Sequence, residues 1–336
     1  MEEQLDRAIQ QPRRMVPCPR PVSVCLVLSG LLDCIGNTPL VRLKKVSKET
    51  GCTILAKAEF LNPGGSVKDR IARFIVEQAE ASGRLKPGST IVEVTSGNTG
   101  IAFSMVGALK GYRTVIMMPK TASEERRRMI ELFGAELHLL EELLHIQSAV
   151  ERTVELAHED RTIFLPSQFS NPDNPLCHEQ TTGPEIIEQT GGRFDAFVMG
   201  VGTGGTLMGV GRAIRKARIP ARVVAVEPDE SAVMSGGQAG HHGIQGLADG
   251  FIPEVVRLEE IDEIVRIKTN DAIAMADSLA REEGFLVGIS AGANVLAAQQ
   301  IAGQLGPGHA IVTILPDRGE RYLSTKLDTE KTGTLM

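Results

Sequence analysis

Short apolar segments rich in β-branched residues alternate with longer segments of mixed polarity along most of the chain. The short segments are typical of buried strands, and the longer ones of helices that cover a sheet. Strands are predicted at residues 53–59, 91–94, 114–118, 196–199, 222–226 and 310–315. Helices are predicted at residues 66–82, 123–134, 270–283 and 292–304, and after the turns at 95–100 and 200–205.

Strand–helix alternation of this kind predicts an α/β fold with two three-layer α/β/α lobes and mostly parallel sheets. We assign residues 31–165 to an N-terminal domain and 166–326 to a C-terminal domain, with 40–61 as a candidate to pack on the other lobe. Residues 1–30 are an extension of unassigned role, and 327–336 are a tail. Ligands of such sheets bind beyond the carboxyl ends of the strands, so the site is expected in the interlobe cleft.

Composition narrows the class of protein. The 336 residues carry a formal net charge of −6, which gives no electrostatic reason to expect nucleic acid or an anionic membrane as a partner. No run reaches the roughly 18 apolar residues of a transmembrane helix. The five cysteines form no Cys-x-x-Cys pair, so a reduced, cytoplasmic setting is expected. Residues 22–32 are apolar but lack a convincing signal-peptide cleavage site.

The first loop with chemical potential runs from Asn62 to Arg70 and contains Lys68. Ser66 is a candidate N-cap, and Asp69 follows three residues later, as in a capping box. Lys68 then lies in the first helical turn, where backbone N–H dipoles disfavour an ammonium, so its pKa should fall provided that the side chain is also buried. Such a lysine suits imine formation with an aldehyde. A solvated surface lysine on an ordinary helix is the alternative.

A second loop, at residues 95–100, joins a predicted strand to a predicted helix. It places hydroxyl, amide and backbone N–H groups at a helix N-terminus, which is a ready anion site. The side chains concerned are Thr95, Ser96, Asn98 and Thr99. A substrate carboxylate fits there as well as a phosphate, and a turn chosen only for its backbone is the alternative.

The third loop, at residues 200–206, is rich in glycine. Glycines allow backbone amides to approach an oxyanion, and two threonines add hydroxyl donors, so a phosphate cradle is predicted. The cradle comprises Gly202, Thr203, Gly204, Gly205 and Thr206.

The same loop also satisfies the dinucleotide pattern G-x-G-x-x-G, and Glu227 follows Gly205 by 22 residues. An acidic residue at about that distance binds a ribose in NAD enzymes. An NAD-binding oxidoreductase therefore remains an alternative, although it leaves Lys68 and the second loop without a role. Pyridoxal 5′-phosphate (PLP) uses all three loops, as an aldehyde anchor, a carboxylate pocket and a phosphate cradle.

Longer motifs extend this pattern over most of the chain. The chain resembles the cysteine synthases (O-acetylserine sulfhydrylases), which are tryptophan-synthase-β-like PLP enzymes of fold type II; the related cystathionine β-synthase branch is close. The likeness rests on residues 35–40 (IGNTPL), 63–70 (PGGSVKDR), 95–100 (TSGNTG), 168–172 (QFSNP), 181–185 (TTGPE), 202–206 (GTGGT), 288–293 (GISAGA) and 315–325 (LPDRGERYLST).

The resemblance implies a role for each matched residue. Lys68 forms the imine with the cofactor, Asn98 contacts the ring hydroxyl, and Ser290 faces the pyridine nitrogen; a helix N-cap is the alternative role for Ser290. The cradle at residues 202–206 holds the phosphate. Thr95, Ser96, Thr99 and Gln168 bind the substrate carboxylate.

The resemblance also implies β-replacement, in which O-acetyl-L-serine and sulfide give L-cysteine and acetate. Lys68 would remove the α-proton as general base and later return it. A neutral Ser290 cannot stabilise a protonated pyridine nitrogen, so prompt loss of a β-leaving group is favoured over a long-lived carbanion. O-phosphoserine, serine or cysteine as donors, as in cystathionine, lanthionine or diaminopropionate synthases, and a catalytically idle partner protein remain open.

Some positions depart from the family pattern. Ala291 stands where a second hydroxyl residue is common, and Asp249 stands where sulfhydrylases often have only small residues, so the donor and nucleophile stay open. The family implies a homodimer and the C-terminal tail of serine acetyltransferase as a partner. His241 and His242 lack an acidic or cysteine partner at ligand spacing, so no metal is expected.

Overall fold

The computed structural model describes residues 27–95, 97–141 and 144–324, with only the backbone described at 144–148. Its strands are β1 (Leu40–Arg42), β2 (Thr53–Ala58), β3 (Thr90–Val94), β4 (Arg113–Pro119), β5 (Glu136–Leu140), β6 (Ile163–Phe164), β7 (Ala196–Gly200), β8 (Arg222–Pro228), β9 (Glu263–Ile267) and β10 (Ala310–Leu315).

Ten α-helices lie within these ranges. They are α1 (Lys44–Thr50), α2 (Lys68–Ala81), α3 (Asn98–Lys110), α4 (Glu124–Leu132), α5 (Leu144–Glu159), α6 (Asp173–Gln180), α7 (Thr182–Thr190), α8 (Gly205–Lys216), α9 (Thr269–Ser278) and α10 (Ile289–Leu305). A π-helical turn, Leu279–Glu283, continues α9. No helix of the described residues is both long and apolar enough to span a membrane.

The strands form two sheets. The larger has the order β1-β2-β10-β7-β8-β9, and the smaller has the order β5-β4-β3-β6. All pairings are parallel except β1 with β2. The predicted α/β class with mostly parallel sheets is confirmed.

The larger sheet combines distant parts of the sequence. Strand β2 pairs with β10 from Thr53 opposite Ala310 to Ala58 opposite Leu315. Residues 40–58 therefore lie in a sheet whose other strands come from residues 196–315. After β2 the chain leaves this sheet and enters α2, whose buried residues such as Ile71 and Ile75 share a hydrophobic core with residues of the smaller sheet. The loop that contains Lys68 is thus the passage between the two sheets.

The start of α2 differs from the predicted capping box. The helix begins at Lys68 with Val67 as its N-cap, and the Ser66 hydroxyl accepts the Lys68 N–H at 3.3 Å. The Asp69 carboxylate accepts the backbone N–H of Gly64, not that of Ser66. The prediction was wrong because a turn with Asp69 N–H donating to the Ser66 carbonyl, at 3.3 Å, precedes the helix and moves its first residue forward.

A set of buried charges crosses the passage. Arg70 donates to Glu59 (Nε to Oε2, 2.7 Å) and to Glu185 on α7 (Nη1 to Oε1, 2.7 Å). Lys57 on β2 donates to Glu185 at 2.6 Å, and Thr38 donates to Glu59 at 2.7 Å. The charges therefore join β2, α2 and α7 where water is excluded. Burial alone would raise the pKa of Glu59, but Arg70 and hydrogen bonds lower it to about 2.

We expect Glu59→Gln to destabilise the protein by about 3 kcal/mol, because it leaves a buried guanidinium with half of its charge partners. The same substitution at the exposed Glu49, which pairs with Lys45 at 3.7 Å, should change stability by less than about 1 kcal/mol. Urea unfolding at pH 7 measures both.

The difference between these two variants should also depend on pH. The Glu59 pKa is depressed on folding, so its contribution is present above the ordinary value of 4.5 and is lost as pH falls towards 2. Equal losses for the two variants at pH 7 would contradict a stabilising role for the buried set.

Candidate active site

The loop before Lys68 is fixed to the segment that follows β10. The Val67 N–H donates to the Pro316 carbonyl at 2.8 Å, and the Arg318 N–H donates to the Gly65 carbonyl at 3.2 Å. Gly65 has φ +81°, and a Cβ there would lie 2.5 Å from the Arg321 guanidinium. Lys68 is therefore presented at the carboxyl end of β10, in the cleft between the sheets.

The Lys68 amine reaches the predicted phosphate cradle. Its Nζ lies 3.3 Å from Thr203 Oγ1. Burial lowers the pKa of Lys68 to about 8, against the opposing attraction of the Asp249 and Glu93 carboxyls. The predicted lowering is thus present, and burial, the condition attached to it, is its main cause. An amine with this pKa exists partly as the free base near neutral pH.

Close packing requires the glycines of the cradle. A Cβ at Gly202 would lie 2.2 Å from the Gly246 carbonyl oxygen, one at Gly204 would lie 2.3 Å from Val256, and one at Gly205 would lie 1.8 Å from Asn174 Oδ1. Helix α8 begins at Gly205 with Gly204 as a left-handed N-cap. Free backbone N–H groups at such a terminus bind phosphate, so the cradle fits the phosphate arm of PLP beside an amine that fits its aldehyde.

Two buried side chains of α6 support the cradle, and sequence reasoning missed both. Asn174 Nδ2 donates to Thr203 Oγ1 at 3.1 Å and to the Gln168 carbonyl at 2.8 Å. His178 Nε2 lies 3.2 Å from Thr206 Oγ1. Burial, with help from Arg70, lowers the pKa of His178 to about 3, so the imidazole is neutral. Their spacing of four residues, which places both on one helix face, was the available signal.

The structure brings the second loop and Gln168 together. Thr99 Oγ1 donates to Gln168 Oε1 at 2.7 Å, and the Gly97 N–H donates to Thr95 Oγ1 at 3.2 Å. Gly97 is the N-cap of α3, so these hydroxyl groups surround the positive end of that helix. Ser96, the fourth predicted member, lies outside the described residues.

Asn98 contacts the segment after β10. Its Nδ2 donates to Asp317 Oδ2, and its Oδ1 accepts from Arg321 Nη1, both at 2.6 Å. The Gly288 N–H donates to the Asp317 carbonyl at 3.1 Å, which brings the start of α10 to the same place. Ser290 is buried there. The N-cap of α10 is Gly288, so the alternative role of Ser290 as a cap was wrong.

The N-termini of α2, α3, α8 and α10 therefore converge on one cleft. Each carries a predicted site residue in its first two turns: Lys68, Asn98, Thr206 and Ser290. Helix N-termini carry partial positive charge, so the cleft suits a ligand with both a phosphate and a carboxylate.

Two observations bear on the alternative of NAD binding and on a metal site at the two histidines. Glu227 is buried, and its carboxylate accepts the N–H groups of Met234 (2.9 Å) and Ser235 (3.0 Å), so it has no exposed carboxylate for a ribose. The His242 ring lies 3.0 Å from the Ala248 carbonyl oxygen. Within the described ranges, no three His, Cys, Asp or Glu side chains are grouped as metal ligands.

A buried carboxyl that the sequence did not single out faces Lys68. Glu93 lies in β3 and is 5% exposed, and its Oε2 has no hydrogen-bond partner. Burial raises the pKa of Glu93 to about 8, with only Lys68 opposing. At neutral pH this side chain is therefore mostly an uncharged acid.

The fold and site define a PLP enzyme with its cofactor between two α/β lobes, and comparison with known proteins agrees. The family model described as "Pyridoxal-phosphate dependent enzyme" matches residues 31–317. The chain belongs to this family, and its cofactor is PLP.

Individual relatives carry names that are more specific than the family description. The cysteine synthase of Staphylococcus aureus (strain Mu50 / ATCC 700699) is 48% identical over 301 residues, which are 89% of this chain and 97% of that protein. A solved cysteine synthase from Entamoeba histolytica has a TM-score of 0.87 at 43% identity, covering 94% of this chain and 96% of that one. A solved O-ureido-L-serine synthase has a TM-score of 0.86 at 46% identity, covering 92% and 98%.

We expect His178→Ala to weaken PLP binding about tenfold, because Thr206 loses the ring that fixes its hydroxyl, a loss of roughly 1.4 kcal/mol. Titration of the cofactor-free protein with PLP, followed by visible absorbance, gives the dissociation constant. His158→Ala, on the exposed end of α5, is the control. An unchanged PLP dissociation constant in His178→Ala would show that the imidazole does not support the cradle.

We expect Glu93→Gln to stabilise the protein by about 2 kcal/mol at pH 8 and by much less at pH 5. The pKa rises on folding from its ordinary 4.5 to about 8, so the folded state binds this proton more tightly and stability falls as pH rises between those values. Thermal unfolding at the two pH values measures the effect, with the exposed Glu131→Gln as control. A pH-independent difference would mean that Glu93 is ionised in the folded protein.

Proposed function

We propose that the protein catalyses β-replacement in cysteine biosynthesis, converting O-acetyl-L-serine and sulfide into L-cysteine and acetate. The observation that carries the proposal is the Lys68 amine 3.3 Å from the cradle hydroxyl of Thr203. One PLP molecule can contact both, with its aldehyde at the amine and its phosphate at the α8 N-terminus. The similarity to enzymes named cysteine synthase, at 48% identity, supports the reaction type.

The roles of the site residues follow from their positions. PLP, when bound, supplies an aldehyde that holds the substrate amino group and a ring that withdraws electrons from its α-carbon. Lys68 would hold the aldehyde, Asn98 the ring hydroxyl, and Ser290 the pyridine nitrogen. Gly202, Thr203, Gly204, Gly205 and Thr206 would hold the phosphate. A serine hydroxyl carries no charge, so Ser290 leaves the pyridine nitrogen unprotonated.

Lys68 is also the proposed general base. A pKa of about 8 lies close to neutral pH, where a base both exists in its free form and binds a proton well. Its Nζ would take the proton from the substrate α-carbon and return it after the nucleophile has added. The Asp249 carboxylate attracts the resulting ammonium, which stabilises it between the two halves of the reaction.

The substrate carboxylate would bind at the N-terminus of α3. Thr95, Ser96, Thr99 and Gln168 supply hydroxyl and amide groups, and the helix end supplies backbone N–H groups and partial positive charge. The contact of 2.7 Å between Thr99 and Gln168 orients both polar groups before a substrate arrives. This pocket would hold any α-amino acid donor, so it does not by itself distinguish O-acetylserine from O-phosphoserine, serine or cysteine.

The cellular location and the binding partners are proposed from fewer observations. We propose a cytoplasmic enzyme, since Cys34, Cys52 and Cys177, the cysteines within the described residues, are not paired. Burial raises the pKa of Cys177 to about 12, which makes it an unreactive thiol. A homodimer and binding of the serine acetyltransferase C-terminal tail rest on the family resemblance. An idle partner protein is disfavoured because Lys68, Asn98 and Ser290 are all present.

We expect O-acetylserine to change the visible absorbance of the PLP-loaded protein within one turnover, and added sulfide to restore the starting spectrum with release of cysteine. The same experiment with O-phosphoserine, serine and cysteine identifies the preferred donor. Lys68→Ala should reduce turnover by at least about 10³-fold, because it removes both the anchor and the base.

Lys48→Ala, at an exposed position on α1, is the control and should behave as the wild type. A protein that binds PLP but responds to none of the four donors would disprove the proposed reaction.

A further inference from the structure

The Asn98 amide lies between two side chains of opposite hydrogen-bonding character, both from the segment after β10. Its Oδ1 accepts from Arg321 Nη1, and its Nδ2 donates to Asp317 Oδ2, each at 2.6 Å. A guanidinium has only donors, and an ionised carboxylate has only acceptors. The reverse orientation of the amide would place N–H groups against the guanidinium and oxygen against the carboxylate. The two neighbours therefore decide which end of the amide is which.

Both neighbours are themselves held in place. Asp317 and Arg321 are only 1% and 3% exposed. The Tyr322 hydroxyl donates to the same Asp317 oxygen, and the Arg126 guanidinium lies over the Tyr322 ring, 4.5 Å from its centre. Asn98, in contrast, is half-buried. Its amide is therefore the part of this set that a ligand in the cleft can contact, and the buried side chains behind it fix its direction.

Arg321 also holds the loop that presents Lys68. Its Nη2 donates to the Gly64 carbonyl at 2.7 Å, while the Gly64 N–H donates to the carboxylate of Asp69, the residue next to Lys68. One guanidinium thus contacts both the Asn98 amide and the lysine loop. It therefore sets the position of the amide relative to the loop from which the lysine enters the cleft.

We propose that Arg321 and Asp317 are positioning residues that direct an N–H of Asn98 at the ring oxygen of PLP and so hold that oxygen as an anion. Nδ2 carries two N–H groups, and Asp317 accepts one, which leaves the other for the cofactor. Because Arg321 occupies Oδ1, the amide offers the cofactor a donor and not an acceptor. This inference rests on the contact of Asn98 with the ring hydroxyl in the proposed function, and it adds the residues that orient that contact.

The charge on the ring oxygen can be observed directly. The proton that leaves the ring hydroxyl moves to the nitrogen that joins Lys68 to the cofactor, so no further reactant takes part. The form with an anionic ring oxygen absorbs in the visible, and the form with a protonated ring oxygen absorbs in the near ultraviolet. A donor aimed at the oxygen favours the first form, because hydrogen bonds to an anion are the stronger ones. The ratio of the two bands therefore reports the orientation of the Asn98 amide.

The test is a double-mutant cycle with Arg321→Met and Asn98→Ala, measured on PLP-loaded protein at pH 7 after unbound PLP has been removed. We expect the visible to near-ultraviolet ratio to fall about tenfold in Arg321→Met, which is the size of one hydrogen bond to an ionised group. The dissociation constant of PLP should rise severalfold. In the Asn98→Ala background the same substitution should change the ratio by less than about twofold, because no amide is left to orient.

Three further variants separate orientation from general damage. Arg128→Met removes an exposed guanidinium from α4 and should behave as the wild type. Arg321→Lys keeps the charge but cannot bridge Asn98 and Gly64 as the planar guanidinium does, so its ratio should be intermediate. Asp317→Asn keeps the size but loses the fixed acceptor, and its ratio should fall severalfold. Thermal unfolding of the cofactor-free proteins measures any loss of stability, and the last two variants carry the test if Arg321→Met does not fold.

Failure of the inference is distinguishable from failure of the proposed function, because the resting protein with PLP is measured without any donor. An unchanged ratio in the Arg321 and Asp317 variants overturns the inference. An equal fall with and without the Asn98 side chain also overturns it, since Arg321 would then act by another route. If Asn98→Ala itself leaves the ratio unchanged, the contact on which the inference rests is overturned. If the cycle gives the expected ratios but no donor changes the absorbance of the wild type, the inference stands and β-replacement is overturned.

Discussion

The site depends on the buried charges that hold the chain where it passes from one sheet to the other. Arg70 lies two residues after Lys68 and is held by Glu59 and Glu185 at 2.7 Å each. Removing either partner leaves a guanidinium uncompensated in a poorly solvated place, so the arrangement resists displacement. Because α2 begins at Lys68, fixing Arg70 fixes the direction in which the lysine enters the cleft.

Burial controls the protonation of the groups around that lysine. It lowers the pKa of Lys68 to about 8 and that of His178 to about 3, and it raises that of Glu93 to about 8. Near neutral pH the cleft therefore keeps an amine that is partly free base, a neutral imidazole and a mostly uncharged acid. Fixed positive charge comes instead from the N-termini of four helices, which cannot titrate. In the proposed function, this division would keep the anionic ends of cofactor and substrate bound while the lysine exchanges a proton.

Asp249 is the exception to this pattern, since it is a carboxyl group open to the cleft. Ala248, with φ +45°, and the approach of the Gly246 carbonyl oxygen to Gly202 hold the loop that carries Asp249 beside the cradle. Its carboxyl attracts the Lys68 ammonium and so opposes the lowering of the lysine pKa by burial.

The sequence by itself determined the α/β class and most strands, because strand periodicity and glycine-rich strand–helix turns are local features with strong physical constraints. Three loops together indicated PLP, and the resemblance to the cysteine synthases implied the reaction type. The sequence predicted the start of helix α2 wrongly, at Ser66 instead of Lys68, because a turn forms there in place of the capping box. Only the tertiary structure decided that Asn174 and His178 support the cradle and that Asp317 and Arg321 hold Asn98. It also decided that Glu93 and Asp249 face Lys68. Those contacts join residues far apart in the chain, and burial, which shifts their pKa values, exists only once the sheets have packed.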